Sequence, residues 1–160
     1  MIKQFEKAGK FVKQNCTADD FILRIYSTDS RKTRFAQNAI TQHIDGSNFS
    51  ADLTVAFGNK TGSATINQID EESLKHIIKT AQEIAKFNQP DPEFVSSEGK
   101  NDIPEFQNYS ENTANLTAEE MVNNIGKCIT NAKSKEAALS GITEKNLWQS
   151  YITTKNGFEG

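Results

Sequence analysis

The stretch DEESLKHIIKTAQEIAKF, residues 70–87, predicts the helix around which the fold is built. Asp70 is suited to the N-cap, and Glu71 and Glu72 place negative charge at the positive end of the helix dipole. Pro90 predicts that the helix ends shortly before it. The apolar residues recur at helical spacing and are Leu74, Ile77, Ile78, Ala81, Ile84 and Ala85. One continuous apolar face of this kind predicts burial against a sheet.

Strand-like segments precede this helix. Four strands are predicted at residues 21–26, 34–44, 51–57 and 63–69, where β-branched and aromatic residues are frequent or alternate with polar ones. The polar sequence STDSRKT, residues 27–33, predicts the first turn, and a loop containing Gly46 follows the second strand. Residues 58–62 predict another turn, because glycine and asparagine tolerate the positive φ of tight hairpins. Before the strands, residues 2–15 predict a helix with Ile2, Phe5, Ala8 and Val12 on one stripe.

A second strong helix is predicted to begin after Thr117. Thr117 and Glu120 form the S/T-x-x-E pattern of a capping box. The apolar face of this helix comprises Met121, Val122, Ile125, Cys128, Ile129 and Ala132. Two strands joined by a tight turn are predicted at 136–143 and 146–153, with Trp148 and Tyr151 on opposite faces. The sequence thus predicts an α/β chain of the α+β type: a two-layer domain whose mixed, largely antiparallel sheet packs two to three helices on one face.

Residues 90–115 differ from the rest of the chain. All three prolines, Pro90, Pro92 and Pro104, fall within this segment, and acidic residues greatly outnumber the one basic residue, Lys100. Such a composition buries little apolar surface, so we predict a flexible acidic connection inside a single domain that spans residues 1–160.

Composition and charge narrow the classes of function. The chain has 160 residues and a net charge of −3, and no stretch is apolar enough for a membrane span or a secretory signal. We therefore expect a cytoplasmic protein without membrane partners. We do not expect nucleic acid as a partner, because phosphate binding needs clustered lysine and arginine. Two cysteines are too few for a disulfide framework.

Few residues could perform catalysis or bind a metal. His76 lies off the apolar face of its helix and is expected to be exposed, whereas Cys16 and Cys128 have apolar neighbours and are expected to be buried and reduced. His43 and Asp45 would share one face of a strand, which is an orienting arrangement in some sites, although a polar strand end is the favoured interpretation. The sequence has no H-E-x-x-H, C-x-x-C, P-loop or G-x-S-x-G motif. We therefore predict no catalytic, cofactor-binding or metal-binding residue in this chain.

A string of motifs resembles the N-terminal domain of the TldD/PmbA family of metallopeptidases, also called modulators of DNA gyrase. The motifs are RFAQNAITQ at 34–42, FGNKTGSATINQID at 57–70 and SLKHIIKTAQEIAKFNQPDPE at 73–93. An acidic linker, a helix opening with LTAEE and a strand with AALSG continue the pattern. The resemblance covers nearly the whole chain, and it is the order of the motifs that is characteristic.

The resemblance implies a domain without its catalytic partner. In this family an H-E-x-x-x-H helix and a distant cysteine bind a divalent metal, expected to be zinc, in a C-terminal domain that is missing here. The implied partners are that C-terminal domain, a second TldD/PmbA-type subunit and an unfolded peptide, which two subunits enclose and which can add to a sheet edge. A free-standing protein-interaction module is the alternative, and a DNA-related role ranks third. The reading frame after Gly160 would discriminate between the first two.

Overall fold

The computed structural model describes residues 2–104 and 108–160. Within them the elements follow the order α1 (Ile2–Asn15), β1 (Asp20–Ala36), β2 (Ala39–Phe57), β3 (Lys60–Ile66), α2 (Glu71–Phe87), α3 (Glu111–Asn115), α4 (Ala118–Ser134) and β4 (Gly141–Thr154). The strands form an antiparallel sheet in the order β3-β2-β1-β4. The predicted α+β class is therefore confirmed. In the described part of the chain, no helix is long and apolar enough to cross a membrane.

The described residues fall into two compact units. Unit 1 contains those of Met1–Ser27, Phe49–Glu105 and Gln149–Gly160, and unit 2 contains those of Thr28–Asn48 and Phe106–Trp148. Strands β1, β2 and β4 each contribute residues to both units.

Unit 1 holds the larger hydrophobic core. Helices α1 and α2 contribute Phe5, Ala8, Val12, Leu74, Ile77, Ile78, Ala81 and Ala85, and the strands add Phe21, Leu23, Ile25, Leu53, Val55 and Tyr151. The bounds predicted for both helices are correct, and the Asp70 side chain accepts a hydrogen bond from the Ser73 amide as the predicted N-cap. Ile84 was predicted to be buried and is 39% exposed. The prediction was wrong because the alanines beside Ile84 lie at the centre of the packed face.

Unit 2 has a smaller core beneath α4. Met121, Ile125 and Ile129 are buried, while Val122 is only half-buried. The capping box of Thr117 and Glu120 is present in full. Cys128 was predicted to be buried and is exposed, because it lies beside the narrow buried stripe of this helix.

The first hairpin turns at a different place from the one predicted. Residues 27–33 belong to β1, the loop predicted around Gly46 lies inside β2, and the chain turns at Gln37 and Asn38. Both turn residues have positive φ, at 50° and 60°, which is the geometry of a type I′ turn. The polar sequence of 27–33 predicts a turn by itself, but the pairing of these residues with distant parts of the chain holds them in a strand.

The C-terminal strands were also wrongly divided. Residues 141–154 form one strand, β4, instead of two strands at 136–143 and 146–153. The polar residues Glu144, Lys145 and Asn146 suggested a turn, but they alternate between the two faces of the strand. Lys32 Nζ of β1 lies 2.9 Å from Glu144 Oε1, and this ion pair gives the Glu144 carboxylate a partner within the sheet. Trp148 is exposed and Tyr151 is buried, as the opposite faces predicted.

Residues 90–104 of the acidic segment belong to unit 1 and are hydrogen-bonded to its strands. The Ser97 amide donates to the buried Asp20 carboxylate at 2.6 Å, and the Thr154 hydroxyl donates to the Glu98 carbonyl at 2.7 Å. Residues 105–107 lie outside the described residues. The flexibility of the segment stays a prediction, and limited proteolysis is its direct test.

Candidate functional site

Unit 2 places a chain of polar side chains across β1 and β2. Arg31 Nε donates to Asp45 Oδ1 at 2.8 Å, and His43 Nε2 lies 3.2 Å from the same oxygen. The other ring nitrogen, His43 Nδ1, is 2.6 Å from the Thr33 hydroxyl. The pairing of His43 with Asp45 is the one that strand alternation predicted. Sequence reasoning missed Arg31 and Thr33 because both lie in the segment taken for a turn.

The electrostatics of this group keep Asp45 ionised. The hydrogen bond from Arg31 lowers the pKa of the Asp45 carboxyl, and the nearby charge of the same guanidinium acts in the same direction. Thr33, His43 and Asp45 have the residue types of a nucleophile, a base and an orienting carboxylate. Thr33, however, is completely buried, so its hydroxyl cannot reach a substrate. The arrangement is therefore a structural network rather than a catalytic one.

The cations of this region are bound to main-chain carbonyls. Arg31 donates to the Leu116 carbonyl at 3.1 Å, and Lys145 donates to the carbonyls of Ala114 and Leu116 at 2.7 and 3.1 Å. These bonds fix the connection between α3 and α4. Arg31 and Lys145 line a cleft of about 470 Å³, and Asp29 and Asp45 line it as well. Because each cation is already bonded, the cleft offers little charge to an anionic ligand.

The remaining candidate residues are dispersed. His76 is exposed on α2, as predicted, and Cys16 is buried, as predicted. Burial raises the pKa of the Cys16 thiol, which disfavours the reactive thiolate. Within residues 2–104 and 108–160, no three His, Cys, Asp or Glu side chains are grouped closely enough to hold a metal ion.

Strand β2 extends beyond the strand that covers its outer edge. The pairing of β2 with β3 runs from Phe57 opposite Lys60 to Ala51 opposite Ile66, where β3 ends. Along Ala39–Ser47 no other described strand pairs with β2 on that side. All residues of this stretch are exposed. We call Ala39–Ser47 the free edge of β2.

A groove runs between this strand and α4. It has a volume of about 830 Å³ and is lined by Ile40, Val122, Asn123, Gly126, Lys127, Thr130, Asn131 and Ser134. We call it the α4 groove. Ile40 belongs to the free edge, so the groove and the edge are adjacent. Sequence reasoning missed it, because the polar face of an amphipathic helix gives no signal that distinguishes a binding surface from solvent exposure.

Comparison with known proteins supports the predicted resemblance. Residues 23–85 match the family model of PmbA/TldA metallopeptidase domain 1. No curated protein matches the chain.

Solved structures share the fold. The structure of TldE from Thermococcus kodakarensis has a TM-score of 0.85 and 18% identity, and the match covers 98% of this chain and 36% of that one. A proposed modulator of DNA gyrase from Thermotoga maritima has a TM-score of 0.79 and 16% identity, covering 99% and 36%. A further one from Bacteroides thetaiotaomicron gives 0.76 and 17%, covering 99% and 37%. This chain therefore spans little more than a third of the length of these structures.

Proposed function

We propose that this chain is the non-catalytic N-terminal domain of a TldD/PmbA-like metallopeptidase, because residues 23–85 match the family model of PmbA/TldA metallopeptidase domain 1. In this proposal it helps two subunits assemble and helps enclose an extended peptide substrate. A domain that encloses a peptide needs a surface that holds main chain of any sequence. The free edge of β2 is the observation that carries the proposal.

An exposed strand edge recognises an extended peptide through the main chain. Its N–H and C=O groups bond to a partner strand whatever the side chains are. Ala39–Ser47 is long enough for several such bonds, and its residues are exposed. In unit 1, by contrast, the outer side of β3 is partly occupied, because Asn88 Nδ2 donates to the Thr61 carbonyl at 2.8 Å.

Peptides with blocked main-chain donors test this proposal. A labelled serine- and threonine-rich peptide is titrated with the chain and followed by fluorescence anisotropy. Two further versions are N-methylated on alternate residues, so that each version loses the donors of one peptide edge only. Strand addition predicts that one methylated version loses binding and the other retains most of it. Equal binding of both versions, or no binding of the unmodified peptide, would contradict the proposal.

Assembly is the second part of the proposal. The similar structures belong to proteins almost three times as long, so the expected partners are the C-terminal domain of the same protein and a second TldD/PmbA-type subunit. Co-expression of this chain with the polypeptide encoded downstream tests this. Co-purification of a complex is expected, and a natural stop codon directly after Gly160 would favour a free-standing protein-interaction module instead.

A further inference from the structure

We propose that the α4 groove makes the domain selective for extended peptides that carry an acidic side chain. Lys127 would bind the carboxylate, while the amides of Asn123 and Asn131 would bind the peptide main chain. This inference rests on the proposed function, because it assumes that the peptide pairs with the free edge of β2 as an added strand.

The groove side of α4 presents a regular row of polar groups. Asn123, Lys127 and Asn131 are spaced four residues apart, so they lie one above another on one side of the helix. In the described part of the chain, neither side-chain amide has a hydrogen-bond partner. An asparagine amide both donates and accepts, which allows it to bond to a peptide unit in an extended strand. The row therefore complements a main chain and does not depend on its sequence.

The charge of the groove favours a carboxylate. Lys127 is the only charged side chain among the residues that line the groove, and it has no acidic partner in the part of the chain that the structure describes. The ammonium of Lys127, which has no acidic partner there, would attract an acidic side chain of a peptide bound in the groove and repel a basic one. The selectivity should weaken with salt, because this site is exposed to solvent.

Gly126 leaves room for close approach. A Cβ built at this position meets no atom within 4 Å, so packing inside the protein does not require glycine there. Glycine weakens a helix interior relative to alanine. The space above Gly126 would let a peptide backbone approach the helix between Asn123 and Lys127.

Charge variants of peptide and protein test the selectivity. Labelled serine- and threonine-rich peptides carrying two glutamates, two glutamines or two lysines are titrated against the chain and followed by fluorescence anisotropy. The glutamate peptide is expected to bind about two- to fivefold more tightly than the glutamine peptide, as for an exposed ion pair. Lys127→Gln should abolish this preference, and Lys127→Glu should transfer it to the lysine peptide. Lys133→Gln is the matched control on the same helix outside the groove, and it should keep the glutamate preference.

A second variant tests the space above the helix. Gly126→Leu should weaken all three peptides without changing the far-ultraviolet circular dichroism, because a Cβ at this position meets no atom within 4 Å and leucine favours a helix over glycine. Binding that is independent of peptide charge would overturn the selectivity and leave the proposed function standing, as would a preference that survives Lys127→Gln. Failure of every peptide to bind would overturn both.

Discussion

Gly62 of β3 lies directly against the main chain of Ala85 in α2. A Cβ at position 62 would overlap the Ala85 nitrogen and also the Ala81 carbonyl oxygen. The helix therefore packs on the strand at a distance that only glycine permits. Backbone atoms cannot swing aside as the end of a flexible side chain can, so this contact fixes how α2 covers the sheet of unit 1.

Gly62→Ala should consequently destabilise the chain by about 3 kcal/mol, the upper part of the range for overpacked cores. Urea unfolding followed by circular dichroism measures the change. Gly126→Ala is the matched control, since its added methyl group meets no atom within 4 Å. It should instead stabilise the chain by about 0.5 to 1 kcal/mol, through helix propensity. A loss of stability no larger for Gly62→Ala than for the control would contradict the packing described.

Removing a buried side chain of α2 should lower the free energy of unfolding more than removing a partly exposed side chain of the same helix. Ile78→Ala is expected to lower the free energy of unfolding by about 2–5 kcal/mol, because Ile78 is buried in the core of unit 1. Ile84→Ala is the control on the same helix and should change it by about 0.5 kcal/mol, since Ile84 is partly exposed. Ile125→Ala should behave like Ile78→Ala in unit 2. Thermal melts of the three variants decide the matter, and an unchanged transition for Ile78→Ala would refute the core assignment.

A hydrogen bond near the C-terminus should make stability depend on pH. The Tyr151 hydroxyl donates to Glu159 at 2.8 Å, and this bond lowers the pKa of the Glu159 carboxyl. Burial and the same carboxylate raise the pKa of Tyr151. The pKa of Glu159 is lower in the folded chain than in the unfolded chain. Its contribution to the free energy of unfolding is therefore complete above the unfolded-state pKa, and it is lost as the pH falls through the folded-state pKa.

Tyr151→Phe removes this bond and keeps the ring. It should lower stability by about 1 kcal/mol at neutral pH, a modest value because the Glu159 side chain is 46% exposed. The difference from the wild type should begin to shrink once the pH falls below the ordinary pKa of glutamate, about 4.3, and should disappear below the lower folded-state pKa of Glu159. Denaturant unfolding at neutral and acid pH gives both values. An equal difference at the two pH values would show that the carboxylate does not contribute.

The purified chain should contain no stoichiometric zinc and should cleave no peptide. His43 and Asp45 are a pair and not a ligand set, and Asp45 Oδ1 already accepts a hydrogen bond from Arg31. Elemental analysis after dialysis measures the metal. One zinc per chain that disappears in His43→Ala would overturn the prediction.

The sequence predicted those features that depend on neighbouring residues. The limits of α2, its cap at Asp70 and the box of Thr117 and Glu120 follow from local hydrogen bonding. It failed where long-range pairs stabilise polar strands. Arg31 gave no signal of being in a strand, because its partner Asp45 lies on the other side of the hairpin. The α4 groove could not be predicted for a related reason: its polar residues form a groove only together with Ile40 of β2, which is distant in sequence.

Hydrogen exchange at the free edge of β2 tests the central claim most directly. The chain is labelled with deuterium in the absence and presence of saturating unmodified peptide, and the uptake is read by mass spectrometry. Strand addition predicts slower amide exchange within Ala39–Ser47, with little change in β3, which is also an edge strand and serves as the internal control. Protection of β3 with no change in Ala39–Ser47, or no protection of either strand, would contradict the account.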